Sequence, residues 1–195
     1  LLVGSEGTLG IITCIVFKLI PLPQKSITLL IPFKSAEDAC KAVSLIFMAG
    51  ITPCAVEFIE RDAIDWTLKY SDVKLAIEND INAHLLIEVD GNDIEALYVD
   101  CEKIEKVVSQ FECGEITMAD NDSHKDMLWK LRRSISEAVK SNSIYKEEDT
   151  VVPRAELPKL LKGVKEIGKN YGFKSVCYGH AGDGNLHINI IKGDM

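Results

Sequence analysis

The 195-residue chain has no apolar run of the ~18–20 residues that cross a bilayer. Its longest greasy stretch, Ile11 to Ile20, is interrupted by Lys18 and closed by Pro21. A transmembrane segment is therefore excluded, and no signal-peptide pattern is visible. Positive charge is also scarce: 22 Lys and Arg face 30 Asp and Glu, a net charge of −8, with no basic run. That excludes the electrostatic footprint of a nucleic-acid binder and a polybasic membrane anchor. Six cysteines are present, at 14, 40, 54, 101, 113 and 177, but none forms a Cys-x-x-Cys pair. A cysteine metal cluster and a disulfide framework are both poor readings, and reduced thiols in a cytoplasmic protein fit better. Cys14, Cys40, Cys54 and Cys101 fall inside apolar patterns, where a free thiol packs as a small core residue.

What is present is the composition of a folded protein, 47% hydrophobic and 27% charged, long enough for one or two domains. The chain opens at Leu1-Leu2-Val3-Gly4, inside a patterned segment, and closes at Asp194-Met195 just after a strand-like run. We expect an excised piece of a longer protein.

The β-branched stretch Ile11–Ile20 predicts a strand, closed by Pro21 and Pro23. Ser26–Phe33 predicts another. Ser35 with Asp38 then forms an approximate capping box for a helix carrying Ala36, Ala39, Cys40, Val43, Ile46 and Phe47, stopped by Gly50. Cys54–Ile59 predicts a strand and Arg61 to about Tyr70 a short helix. A second pass follows: strand His84–Val89, a cap from Asn92 with Glu95, a helix through Ile94, Leu97, Cys101, Ile104, Val108 and Phe111, and a closing strand Glu115–Met118. This doubled β-α-β order predicts an α+β fold, a ferredoxin-like antiparallel sheet with helices on one face. Beyond it lie a long helix, about Ser123–Ser141, an extended segment Ile144–Pro153, a helical stripe from Leu157 to Tyr171, and strands Val176–Gly179 and Asn185–Ile191.

Three groups of residues carry candidate chemistry. Gly4-Ser5-Glu6-Gly7-Thr8-Leu9-Gly10 sets three glycines and two hydroxyls before a strand. Such a turn can bring backbone N–H groups to an anion, or simply feed the strand. It is neither a Walker A loop nor G-x-G-x-x-G. The stretch His180-Ala181-Gly182-Asp183-Gly184-Asn185-Leu186-His187-Ile188-Asn189 holds two of the four histidines. Its glycines allow a reversal that lets both imidazoles converge, and His187 shares a strand face with Asn189. Two histidines and a carboxylate are a usual metal set; Asp183 is a third ligand or only shapes the turn. Arg132 and Ser136, four residues apart on the long helix, with Lys146 beyond, can hold a carboxylate ligand or be an ordinary solvated surface.

Together these segments resemble one family. Gly4-Ser5-Glu6-Gly7-Thr8-Leu9-Gly10-Ile11-Ile12-Thr13 looks like the closing signature of the flavin domain of the vanillyl-alcohol oxidase/p-cresol methylhydroxylase superfamily. Tyr178-Gly179-His180-Ala181-Gly182-Asp183-Gly184-Asn185-Leu186-His187 looks like the signature of its C-terminal FAD-linked oxidase domain. The pair, about 170 residues apart, is similar to the glycolate oxidase D-subunit, D-lactate dehydrogenase and D-2-hydroxyglutarate dehydrogenase branch.

The resemblance implies an FAD enzyme that oxidises a 2-hydroxy acid to the 2-oxo acid, with hydride passing to the flavin. It divides the chain into residues 1–22, the tail of the FAD-binding domain, and 23–195, a C-terminally truncated substrate or cap domain. It assigns Gly4, Ser5, Glu6, Gly7, Thr8, Gly10, Ile11 and Ile12 to FAD, and His180 and His187 to a divalent metal, commonly zinc. Arg132, Ser136, Lys146 and Asn189 would touch substrate, Lys146 only after a one-residue gap in the alignment. No complete catalytic set is expected here, because the family's third metal ligand and base belong to a later Glu-His-Gly motif. The piece alone is expected to be inactive. The implied partners are the small hydroxy acid and an electron-acceptor protein or quinone. Homodimerisation and assembly with other oxidase subunits both stay open. The expected location is cytoplasmic, with membrane association only through partners. The competing reading is a non-catalytic ferredoxin-like ligand-binding or scaffold domain.

Overall fold

The computed structural model describes residues 2–119 and 121–192. The expected domain division reaches beyond these at residue 1 and at 193–195.

Every strand of the sheet pairs antiparallel, in the order β4-β1-β3-β2-β6-β7-β5. The first four elements of that order are β4 (Thr117–Ala119), β1 (Lys25–Phe33), β3 (Ala83–Gly91) and β2 (Ala55–Glu60). They reproduce the ferredoxin-like arrangement that the doubled β-α-β pattern predicted. β6 (Lys174–Gly179), β7 (Asn185–Ile191) and β5 (Tyr145–Val151) extend the sheet past β2, which becomes its central strand.

Successive residues of a strand point to opposite faces, and the sheet uses both. On one face Ile27, Leu29, Ile31, Phe33, Phe58, Leu85 and Ile87 form the main core under α1 (Ala36–Met48), α3 (Ile94–Val108) and α5 (Leu157–Tyr171). On the other, Ile59, Val176 and Tyr178 meet α2 (Arg61–Tyr70) and α4 (Asp122–Asn142) through Ala63, Ile64, Ile135 and Val139. The α+β antiparallel class holds, with three helices on one face as expected. Two more helices cover part of the face that the sequence pattern left bare.

The helix signals act mostly as read. Ser35 caps α1 by accepting from the Asp38 N–H at 3.2 Å. The α3 cap is Asp93 rather than Asn92: Asp93 accepts from the Glu95 N–H at 3.0 Å. Asn92 instead accepts from the Gln24 N–H.

The strand expected at Ile11–Ile20 does not form. Residues 10–23 carry no regular structure and pair with no other described segment. Ile11, Val16, Phe17, Leu19 and Ile20 are exposed. β-branching favours an extended backbone, but a strand also needs a ladder partner. The cysteines divide: Cys40, Cys101 and Cys177 are buried, whereas Cys14 and Cys54 are exposed, against the core reading of those two.

Candidate active site

The site is built on the α2/α4 face where β2, β6 and β7 meet. Register fixes its rows. Tyr178 on β6 lies opposite His187 on β7, and His187 lies opposite Asp149 on β5. One row on, Asn189 lies between Val176 and Glu147. Tyr178, His187 and Asn189 therefore share one face.

The loop between β6 and β7 returns the chain tightly. The Asp183 and Asn185 N–H groups both donate to the His180 carbonyl, at 2.9 and 3.1 Å. A Cβ on Gly179 would sit 2.7 Å from the Asn185 carbonyl oxygen, and one on Gly184 would collide with the Val152 carbonyl. Gly184 also holds φ +75°, a conformation that side chains disfavour. The two glycines set the reversal that carries His180 back over His187. Their rings meet edge to face with centroids 5.8 Å apart.

His180 Nδ1 lies 2.7 Å from Glu57 Oε1. A carboxylate only accepts, so this nitrogen donates, and in the neutral imidazole that leaves the lone pair on Nε2. The other oxygen of the same carboxylate, Oε2, accepts from Arg132 Nε at 2.8 Å and forms an ion pair with Nη2 at 2.7 Å. Both Glu57 and Arg132 are buried. Arg132 also stands over the Tyr178 ring, 5.4 Å from its centroid. Burial raises the Tyr178 phenol, and the neighbouring Ser136 hydroxyl acts in the opposite sense.

Three buried polar atoms on this face lack a hydrogen-bond partner: His187 Nδ1 and Asn189 Oδ1 at the site, and His84 Nδ1 on β3. Glu147 and Asp149 stand 3.2 and 3.4 Å from His187 Nδ1, within ion-pair reach but out of line for a hydrogen bond. A cavity of about 340 Å³ opens beside Glu57 and His180 and is also lined by Phe47, Cys54, Arg154 and Asp183.

Of the residues singled out in the sequence, the structure brings together Arg132, Ser136, His180, His187 and Asn189. Lys146 is not with them. It is the register partner of Ile190, on the opposite face from Asn189, and is exposed and paired to Glu148. A one-residue offset along a strand reverses the side-chain direction, and here it turns the ammonium away from the site. Asp183 closes the β6–β7 turn. Among the described residues no group of three His, Cys, Asp or Glu could hold a metal ion. The donor set fits part of a metal site: two imidazoles, one with its tautomer fixed by a buried carboxylate, beside unpartnered polar atoms.

The Gly4–Gly10 segment forms an exposed turn away from regular structure. Thr8 donates to the Ser5 carbonyl through both N–H and hydroxyl. Gly4, Glu6 and Gly7 all have positive φ, and the space beside Gly4 and Gly7 is open. That openness suits the backbone approach to an anionic cofactor that the sequence suggested.

Sequence reasoning missed Glu57, Tyr178 and Glu147. Glu57 had a readable signal: a carboxylate between Val56 and Phe58 in an apolar strand needs a buried partner.

Residues 22–194 match the family described as FAD linked oxidases, C-terminal domain. The chain is 35% identical over 200 residues to a D-lactate dehydrogenase of Anaerostipes hadrus, covering 100% of this chain and 42% of that protein. It is 36% identical over 190 residues to the glycolate oxidase subunit GlcD of Bacillus subtilis, covering 96% of this chain and 39% of that one. A D-2-hydroxyglutarate dehydrogenase of Stutzerimonas stutzeri is 32% identical over 196 residues, with 100% and 42% covered. The chain thus spans well under half of these relatives. Among solved structures, an alkyldihydroxyacetonephosphate synthase superposes with a TM-score of 0.67 at 18% identity, over 98% of this chain and 40% of that one. A p-cresol methylhydroxylase with substrate bound does so with 0.62 at 13%, over 90% and 40%. Both likenesses concern the fold.

Proposed function

Because this chain belongs to the FAD linked oxidase C-terminal domain family, we propose that it is the substrate-side domain of a longer FAD-dependent dehydrogenase or oxidase of D-2-hydroxy acids. The substrates in view are glycolate, D-lactate and D-2-hydroxyglutarate, the acids of its relatives' names. Residues 1–22 would be the end of the flavin domain and 23–195 the substrate or cap domain. The exposed apolar side chains of residues 11–22 are then the part that the flavin domain covers.

The observation that carries this reading is the Glu57 carboxylate, which ties Arg132 to His180 on the face that also holds His187, Asn189 and Ser136. Arg132 has five N–H donors and gives that of Nε to Glu57, with Nη2 in ion-pair reach of the same oxygen, so donors remain for a substrate carboxylate. That contact orients the acid, with C2 directed across the face toward the histidines. Asn189 offers its unpaired Oδ1 to the substrate's 2-hydroxyl. His180 and His187 would hold a divalent ion, zinc by the family resemblance. Such an ion, when bound, acts as a Lewis acid that lowers the pKa of a hydroxyl. FAD, when bound through the Gly4–Ile12 segment, supplies the two-electron acceptor. An electron-acceptor protein or a quinone would then reoxidise it. With Lys146 on the far face, the described residues of this site supply one cationic anchor, Arg132, and the second carboxylate of 2-hydroxyglutarate would need another from elsewhere. Among the described residues no helix is long and apolar enough to cross a membrane. A cytoplasmic enzyme, membrane-associated only through partners, is consistent with that.

The test is anaerobic titration of the full-length flavoprotein with each of the three acids. Loss of oxidised-flavin absorbance with one of them is expected and names the substrate. A flavoprotein that bleaches with none, or a protein that takes up no FAD, overturns the reading.

A further inference from the structure

We propose that Glu57 is a positioning residue that sets the substrate anchor and the metal ligand as one unit; this rests on the hydroxy-acid reading above. Each oxygen of its carboxylate has a separate task. Oε2 takes the Arg132 Nε hydrogen bond at 2.8 Å with Nη2 in ion-pair contact at 2.7 Å, and so holds the guanidinium from one edge. Oε1 takes His180 Nδ1 at 2.7 Å and so fixes the ring and its tautomer.

The mounting is rigid. Glu57 sits on the central strand, with its register neighbour Leu86 on β3. The next residue, Phe58, pairs with Gly179 on β6, which immediately precedes His180. The backbone ladder thereby sets the distance between carboxylate and imidazole. The close approach of Asn185 and Leu186 to Gly179 keeps that corner from shifting.

The contrast with His187 is informative. Its neighbouring carboxylates, Glu147 and Asp149, are 34% and 67% exposed and make no hydrogen bond to it. The Glu57 side chain is 7% exposed and makes both kinds of contact. A bridge serving only to fasten β2 to α4 would need Arg132 alone. The third contact, to a loop histidine that is half exposed, adds little to fastening and much to orientation.

The test uses the full-length flavoprotein and its Glu57→Gln and Glu57→Asp variants. Zn²⁺ affinity is measured by chelator competition without substrate, KM and kcat by steady-state kinetics, and Tm alongside. Glu57→Gln is expected to weaken Zn²⁺ about 10–100-fold and to raise KM. Glu57→Asp restores the charge and should recover part of both. Zn²⁺ affinity and KM within about twofold of wild type, with only Tm lowered, would make the bridge structural and overturn the inference. If the Gln variant fails to fold, the Asp variant decides alone: one methylene shorter, it cannot reach both partners, and unchanged Zn²⁺ affinity and KM overturn the proposal. A wild-type protein that bleaches with a hydroxy acid but binds no Zn²⁺ removes the metal half only. One that bleaches with none removes the functional reading on which the inference stands.

Discussion

The two faces of the sheet are made by the same strands and do different work. Under α1, α3 and α5 the strands contribute mainly apolar side chains, from Ile27 to Ile188, and the buried polar Glu60 and Ser175 on that side are both paired to Lys165 of α5. Under α2 and α4 the same strands contribute Thr28, Glu57, His84, His187 and Asn189 beside Ile59 and Tyr178. The first face is held by burial, which is non-directional and tolerant of exchange. The second holds polar groups that cost stability unless each is partnered, and three of its buried atoms are not. One face stabilises the domain, and the other keeps unmet hydrogen-bonding capacity where a ligand can use it.

The largest effects should test that division directly. Phe58, fully buried on the apolar face, should cost about 3–5 kcal/mol as Phe58→Ala, read by chemical unfolding. Turnover per folded flavin should stay unchanged. Arg132→Met should cost a similar ~3–5 kcal/mol, because it strands the buried Glu57 carboxylate, and should also abolish turnover. The double variant Arg132→Met/Glu57→Leu sharpens the contrast. It should recover most of the lost stability, since a buried ion pair is often replaceable by packed apolar groups, while turnover stays lost. Recovery of activity together with stability would show that the polar face is only structural.

This division also explains what could be read in the sequence. The apolar face was legible because burial writes itself in the sequence: the stripes of α1, α3 and α5 and the apolar runs of β1 and β3 gave their elements within about three residues. The candidate site was legible only where a motif resemblance named its residues. By itself Arg132 could be read as a carboxylate anchor or as a solvated helix residue, because nothing on α4 reveals that Glu57, 75 positions earlier, lies beneath it. Lys146 failed for the opposite reason. The motif gave its identity, but an offset of one residue on a strand decides which face it serves. The segment 11–20 has strand composition, yet a strand is a relation between two segments, and composition describes one.

A smaller effect concerns pH. His84, on the polar face, is pushed down to about 4 by burial, with Arg61 adding to it. The unfolded imidazole titrates near 6.5, so on acidification the unfolded chain takes up the proton first. Its contribution is fully present above pH ~6.5 and is lost as pH falls toward ~4, about 3 kcal/mol in all. Wild type minus His84→Phe, compared by unfolding at pH 7 and pH 4.5, should show that limb. No difference in slope would mean that the imidazole is hydrated or paired in solution. Smaller again is Ser35→Ala, which removes the α1 cap and should cost about 1 kcal/mol with no change in turnover.

The smallest expected effect is the one most informative about register. Lys146 lies on the apolar-face side of β5, exposed and paired to Glu148. An exposed pair of this kind contributes about 0–1 kcal/mol. Lys146→Ala should therefore leave stability within about 0.5 kcal/mol and leave KM for the hydroxy acid unchanged. The same substitution at Arg132 should raise KM steeply. If Lys146→Ala instead raises KM for 2-hydroxyglutarate but not for D-lactate, the ammonium reaches a second carboxylate after all. That would require β5 to shift by one residue against β7, moving Glu147 and Asp149 off His187, and the polar face described here would have to be redrawn from its edge inward.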